Sequence, residues 1–228
     1  LNRHSSFDFF ALVFSSFIKN RISIHHSMEL TELRMVRRGW KGAVASMVEK
    51  LAGRYSLKNT RAIAGVTKEI ALYELNRLRR SNIYKPALVY PNAFDGTALS
   101  PVPDSRKGGF CFLFVCSDFK DWRGLDLIFN NIWAEQGPSN YQLHLVGSLT
   151  NEQLHEVTLL NKSARRDIIV SHGKLFGAAL DGLLEKADVG LASFGMFRIG
   201  LHEGCTLKVR EYLAYGIPVY SNHIDTAL

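Results

Sequence analysis

Apolar and polar positions follow two different rhythms along this chain. In the second half they come in alternating blocks. Phe110–Cys116 is a continuous apolar run, the pattern of a strand buried on both faces. Asp126–Trp133 reads as a helix, 141–146 as a strand ended by Gly147, and Asn151–Leu160 as a helix capped by Thr150 or Asn151. A strand at 167–170, a helix at Leu175–Lys186 and a strand at 188–192 follow. Thr206–Tyr215 reads as a helix closed by Gly216, and Ile217–Tyr220 as a last strand. Strand and helix alternating at this pitch predict a parallel sheet with right-handed crossovers. Ligands of such sheets lie beyond the carboxyl ends of the strands.

The first half is more helical. Strands are expected at Phe9–Phe14, Arg21–His25, Ala62–Val66 and 87–90, and helices over 29–55 and 66–80. Residues 31–56 place Leu33, Val36, Trp40, Val44, Met47, Val48 and Leu51 at helical spacing, with Arg34, Arg37, Arg38 and Lys41 crowding the first half. Either this helix packs its apolar stripe into a core and solvates its basic face, or it lies on an anionic membrane. Residues 91–104 carry three of the six prolines and read as an interdomain linker. The domain reading is 1–91, a linker over 92–108, and 109–228.

Charge sharpens that division. Residues 1–91 hold 16 Lys and Arg against 6 Asp and Glu, so +10; residues 92–228 hold 12 against 15, so −3. A basic first half suits nucleic acid, anionic lipid or an anionic substrate, or is simply a solvated surface. No nucleic-acid motif appears and the bases lack interleaved aromatics, so nucleic acid is the weakest partner. Residues 76–82 form a second basic cluster after a helix, for which compensation of the helix C-terminus is a sufficient reading. Cys111, Cys116 and Cys205 are too few and scattered for a disulfide framework or a zinc site, and suit reduced thiols in the cytoplasm. No run of about 18 apolar residues is present to cross a membrane. The chain starts at Leu1, not Met, and ends soon after a strand, as a fragment or a processed chain would.

Candidate chemistry concentrates in HEGCTLKVREYLAYGIPVYSN (202–222). Glu203 precedes the helix and Glu211 lies about 7–8 Å along its axis at 1.5 Å per residue. The N–H groups of residues 204–207 and the helix dipole form an anion site between the two acids, and Lys208 adds a positive charge. A nucleotide sugar fits such a site: diphosphate on the helix N-terminus, hydroxyl pairs on the carboxylates. The alternative is two surface acids paired with Lys208 and Arg210.

This stretch resembles the donor-binding segment of retaining GT-B glycosyltransferases of family 4, through Glu-x7-Glu and EYLAYGIPVYSN. The likeness extends along most of the chain. YPNAFD (90–95) is similar to the family's interdomain turn, with Ala93 for a glycine. FLFVCSDFKDWRGLDLI (112–128), LHLVGS (143–148), VSHG (170–173) and KADVGLASF (186–194) resemble successive strand ends of the donor domain. ISIHH (22–26) is similar to an acceptor-domain strand ending in a histidine.

The resemblance implies an α/β fold of GT-B type, two Rossmann-like domains facing a cleft, the first incomplete. Glu211 would hold ribose hydroxyls and Glu203 hydroxyls of the transferred sugar. The backbone of Gly204, Cys205, Thr206 and Leu207 would bind diphosphate and sugar oxygens, with Arg123 on phosphate. Ser171, His172 and Gly173 would lie beside the base, and His26 or His25 would touch the sugar. Cys116 and Ser117 stand where the family has glycine and arginine, so the missing cation falls to Lys120 or Lys208. The implied reaction is hexosyl transfer with retention, from a UDP- or GDP-linked sugar to a glycan or lipid-linked acceptor, with no metal or other cofactor. A protein of the cytoplasm, peripheral on the inner face of the membrane, fits. The competing reading is a degenerate binding module that keeps the fold without turnover.

Overall fold

The computed structural model describes residues 2–3, 13–14, 17–18, 20–37, 39–78, 83–94, 109–134 and 141–228. By contact density they fall into two units: 1–92 with 203–205, and 93–202 with 206–228.

The first unit holds a parallel sheet of β1 (Asn2–Arg3), β2 (Ile22–His25), β3 (Ala62–Gly65) and β4 (Ala87–Val89), in that order. Helices α1 (Glu29–Val36) and α2 (Trp40–Lys58) join β2 to β3, and α3 (Lys68–Asn76) joins β3 to β4. The single helix expected over 29–55 is two, because the chain turns at Gly39 with φ of 73°, a left-handed conformation that favours glycine. The strand expected at Phe9–Phe14 lies outside the described residues except for Val13 and Phe14, which are helical. Arg38, most of the 76–82 cluster and residues 95–108 of the linker also lie outside them. Among the described residues no helix is long and apolar enough to cross a membrane.

Ser23 aligns with Ile63 and His25 with Gly65, so these residues share the face that meets the helices. Ile63, Leu57 and Leu78 form a small apolar core there. Around it the interior is charged. Arg77 bridges Glu74 at 2.6 Å and Glu49 at 3.0 Å, all three nearly sealed from water. Burial alone would lower the pKa of this guanidinium; the two carboxylates outweigh it and raise it above its ordinary value. Gly53 makes room: a Cβ there would lie 2.0 Å from the Glu49 carboxylate and 2.2 Å from Arg77. The inward face of α2 is therefore Gly42, Ala45, Ser46, Glu49, Gly53 and Ser56, with Leu57 at its end.

The second unit is a five-stranded parallel sheet of β5 (Phe110–Asp118), β6 (Tyr141–Ser148), β7 (Ile169–Ser171), β8 (Val189–Leu191) and β10 (Val219–Tyr220). Their order is β10-β8-β5-β6-β7. One face carries Phe114, Phe129, Leu143, Leu145 and Leu160 under α4 (Leu125–Ala134) and α5 (Asn151–Ala164). The other carries Leu113, Val115, Val146, Leu184 and Ile217 with α6 (Ala178–Leu184) and α7 (Leu207–Ala214). Neighbouring residues of β5 serve opposite clusters, as the strand period of two requires. Cys116 joins the first and Cys111 packs against the second. Thr150 caps α5 in a reciprocal capping box with Gln153. Glu203–Gly204 forms the short β9, and Ile224–Asp225 the short β11.

Candidate functional site

In the second unit the expected donor residues gather beyond the carboxyl ends of β5, β7 and β8. Ser117 is exposed near the end of β5. The next loop folds into a 3-10 turn, Asp121–Arg123, closed by Gly124 at φ of 72°. That turn is stitched to the chain after β8. Phe194 N–H donates to the Arg123 carbonyl at 2.9 Å. Neither loop tolerates a side chain at the crossing: a Cβ on Gly124 would come 2.7 Å from the Gly195 nitrogen, and one on Gly195 2.7 Å from the Asp121 carbonyl. The stitching carries the Arg123 guanidinium to Ser193, whose Oγ accepts from Nη1 at 2.9 Å.

Helix α7 is held over the sheet by Tyr212. Its hydroxyl accepts from Val115 N–H at 2.9 Å and donates to the Leu113 carbonyl at 3.2 Å. Burial pushes this phenol far above its ordinary range, so it stays protonated and keeps donating. The ring lies over Gly190, where any Cβ would come within 2.4 Å of it.

The start of α7 is built by Thr206 and Asp225. Thr206 Oγ1 accepts from Val209 N–H at 3.4 Å. The buried Asp225 carboxylate accepts from Thr206 N–H at 3.1 Å and from Arg210 at 3.3 Å. Burial would raise this carboxyl; hydrogen bonds from His223, Ala227 N–H and Thr206 N–H, and the Arg210 charge, hold it below its usual value. One turn on, Lys208 Nζ and Glu211 Oε2 form an ion pair at 2.5 Å, with Glu211 mostly buried and Lys208 more open. The arrangement presents the N–H groups of Leu207 and Lys208, a lysine and one carboxylate at one helix terminus, which can take an anion and a neighbouring hydroxyl pair.

His172 follows β7, its N–H bound to the Leu145 carbonyl at 2.9 Å. Gly173 has φ of 64° and open space where a Cβ would be. Its carbonyl accepts from Gly147 N–H at 2.7 Å. The His172 ring stacks on His144 with centroids 5.1 Å apart, and the two share a hydrogen bond of 2.9 Å. Burial lowers both imidazole pKa values, and for His144 the neighbouring His172 and Lys186 lower it further. Cys116, beside Arg123, is a buried thiol pushed up to about 12, so it is neutral and not a nucleophile. Lys120 lies 3.4 Å from Asp118 and packs over the Trp122 ring. An apolar hollow of about 480 Å³ between α4 and the sheet, lined by Phe112, Ile128, Leu191, Phe194 and Tyr220 among others, has no charged side chain among the described residues and does not suit a diphosphate.

Glu203, Gly204 and Cys205 group with the first unit. Glu203 and Glu69 bind each other reciprocally: each carboxylate accepts the other's backbone N–H at 2.9 Å. Cys205 accepts from Asn92, at its Sγ from the backbone N–H and at its carbonyl from the side chain. His25 and His26 lie at the carboxyl end of β2. His25 is fully buried, hydrogen-bonded to Ser23 at 3.0 Å and 3.9 Å from both Glu29 and Glu74, while the neighbouring His26 is exposed.

Sequence reasoning missed Asp225, Ser193, His144 and Gly190. His144, Gly190 and Ser193 lie inside the segments LHLVGS and KADVGLASF, where nothing in the sequence marks them out from their neighbours. Asp225 acts from the two-residue β11, which no apolar pattern announces, and Gly190 looks like any small strand residue; only the packing of Tyr212 gives it a role. Among the described residues no group of three His, Cys, Asp or Glu could hold a metal ion.

No family model matches the chain, and no curated protein matches it in sequence. Solved structures do match in fold. Sucrose-phosphate synthase from Thermosynechococcus elongatus superposes with a TM-score of 0.58 at 18% identity, over 88% of this chain and 49% of that one. The lipopolysaccharide outer core galactosyltransferase WaaB gives 0.52 at 15%, over 94% and 60%. A glycosyltransferase from Rickettsia africae gives 0.51 at 13%, over 98% and 65%. The parallel α/β sheets are thus of the GT-B glycosyltransferase kind, and the chain spans about half to two thirds of each of these structures.

Proposed function

We propose that this chain is the donor-binding part, with a portion of the acceptor side, of a retaining GT-B glycosyltransferase of family-4 type. The domain reading 1–91, 92–108 and 109–228 goes with it. The observation that carries it is the start of α7: a capped helix N-terminus with the Lys208–Glu211 pair one turn in, beyond the strand ends that also carry Arg123. The diphosphate of a UDP- or GDP-linked sugar lies on the N–H groups of Leu207 and Lys208, with Arg123 and Lys208 as its cations. Glu211, held in place by Lys208, takes the ribose hydroxyls. His172 and Gly173 flank the base, and Ser117 lies on the diphosphate side. Glu203 exchanges its hydrogen bond from Glu69 for sugar hydroxyls, aided by the backbone of Gly204 and Cys205, while Thr206 N–H stays on Asp225; of the two histidines the exposed His26, not the buried His25, is the one to contact the sugar. Negative charge growing on the leaving diphosphate is stabilised by the helix terminus and the two cations. The acceptor is a glycan or lipid-linked sugar, and the protein works in the cytoplasm at an anionic membrane surface.

The competing reading, a degenerate binding module, draws on one observation: Asp118 stands near the phosphate side and ties up Lys120. A thermal-shift panel of UDP, GDP, ADP and their sugars decides whether the site binds. At about 100 times its dissociation constant a ligand adds roughly 2.7 kcal/mol. The enzyme and the module both predict a shift with one nucleotide series, lost in Glu211→Ala. No shift with any nucleotide defeats both. Release of free sugar from the matching donor, abolished in Glu203→Ala, selects the enzyme; binding without release selects the module.

A further inference from the structure

Helix α2 faces the wrong way for a helix on a soluble sheet. Its inner face is small or charged until Leu57 at its end, and its other large apolar residues point to solvent. Trp40 is 73% exposed, Met47 67% and Leu51 67%; Val44, Val48 and Tyr55 are exposed beside them. At 3.6 residues per turn these six fall within about 100° of arc. Lys41 borders the stripe on one side, Lys50 and Arg54 on the other, and Lys58 prolongs it. The only acid of α2, Glu49, is buried and paired to Arg77. A hollow of about 410 Å³ opens where α1 meets α2, beside Met47, with Arg34 and Lys50 in its wall.

We propose that this face docks on an anionic lipid bilayer. The apolar stripe enters the boundary between headgroups and acyl chains, and the flanking lysines extend their stems so that their ammonium groups meet lipid phosphates. The Arg34–Lys50 hollow receives one phosphate headgroup. A second copy of the chain is the poorer occupant, because among the described residues the face has no exposed acid to answer its own lysines. This inference rests on the membrane setting proposed above but not on the donor site, so its failure would leave nucleotide binding untouched.

The test is co-sedimentation of the 228-residue chain with vesicles of phosphatidylcholine alone and of phosphatidylcholine with phosphatidylglycerol. Binding is expected to the anionic vesicles only, and to disappear in high salt. Lys50→Glu weakens it by about fivefold or more, since each basic charge near such a surface contributes on that scale. Met47→Ser with Leu51→Ser abolishes it while leaving the melting temperature unchanged, because both side chains are already in water. Brominated lipid quenches a fluorescence signal that Trp40→Phe removes. Equal binding to neutral vesicles, no binding, binding that survives the Met47/Leu51 double change, or a dimer lost on that double change in place of lipid binding would each overturn the proposal.

Discussion

Helices α2 and α7 occupy equivalent places, each lying against a parallel sheet, and they are held by opposite means. Helix α7 is anchored by a large ring: Tyr212, wholly buried, spends both hydrogen-bonding capacities of its hydroxyl on the backbone of β5. Helix α2 approaches through glycine, alanine and serine, and is tied by Glu49 to Arg77 and Glu74. The second unit is stabilised by apolar area on both sheet faces. Among the described residues, the first sets a buried charge cluster beside its apolar packing. The lesson is that a helical period identifies a helix without saying which face turns inward. Burial follows what the partner surface can accommodate, and here that surface is ionic.

The comparison breaks most easily at Arg77. Arg77→Met removes the guanidinium that pairs with the buried Glu74 and Glu49 carboxylates, and removing one partner of a buried ion pair costs about 3–5 kcal/mol. Chemical denaturation should show that loss. A loss below about 1 kcal/mol would mean that the cluster is hydrated and that the first unit is held by other contacts.

Next in size is a contrast within α2 itself. Leu57 is fully buried, so Leu57→Ala should cost about 2–5 kcal/mol. Leu51, six residues earlier, lies in solvent, and Leu51→Ala should stay within about 0.5 kcal/mol. Similar losses at both positions would mean that the stripe is covered in solution and that the inverted helix is wrong.

These two predictions also mark what the sequence makes legible. In the second unit the apolar run of β5, the Thr150 cap and the Thr206 start of α7 follow from local pattern, because aliphatic packing and capping are local or periodic. In the first unit the same reasoning finds a helix over 31–56 and leaves its facing open, since Gly53 reveals its purpose only once Glu49 and Arg77 meet over it. The site divides in the same way. Lys208 and Glu211 are one helical turn apart and can be paired from the sequence. Asp225 reaches Thr206 across 19 residues, and Arg123 reaches Ser193 across 70, through loop crossings that no spacing encodes.

A smaller effect sharpens the α7 side. Gly190→Ala drives a methyl into the Tyr212 ring, and overpacking of this kind costs about 1–3 kcal/mol. Gly190→Ala combined with Tyr212→Leu should cost less than the sum of the two single changes, because the clash goes with the ring. Additive losses would show that Gly190 is needed for some other reason.

The mildest effect is a pH dependence carried by His144 and His172. Both imidazoles have lowered pKa values in the folded protein. The unfolded chain therefore takes up protons first, from about pH 6.5 downwards. Their contribution to stability is complete above that value and declines as pH falls toward the lowered folded values, levelling off below them. The melting temperature of the chain should thus drop between about pH 7 and pH 5. In His172→Gln the drop should be shallower, since one of the two groups no longer titrates and His144 loses a charge-sensitive neighbour. An unchanged slope in that variant would assign the pH dependence to other groups.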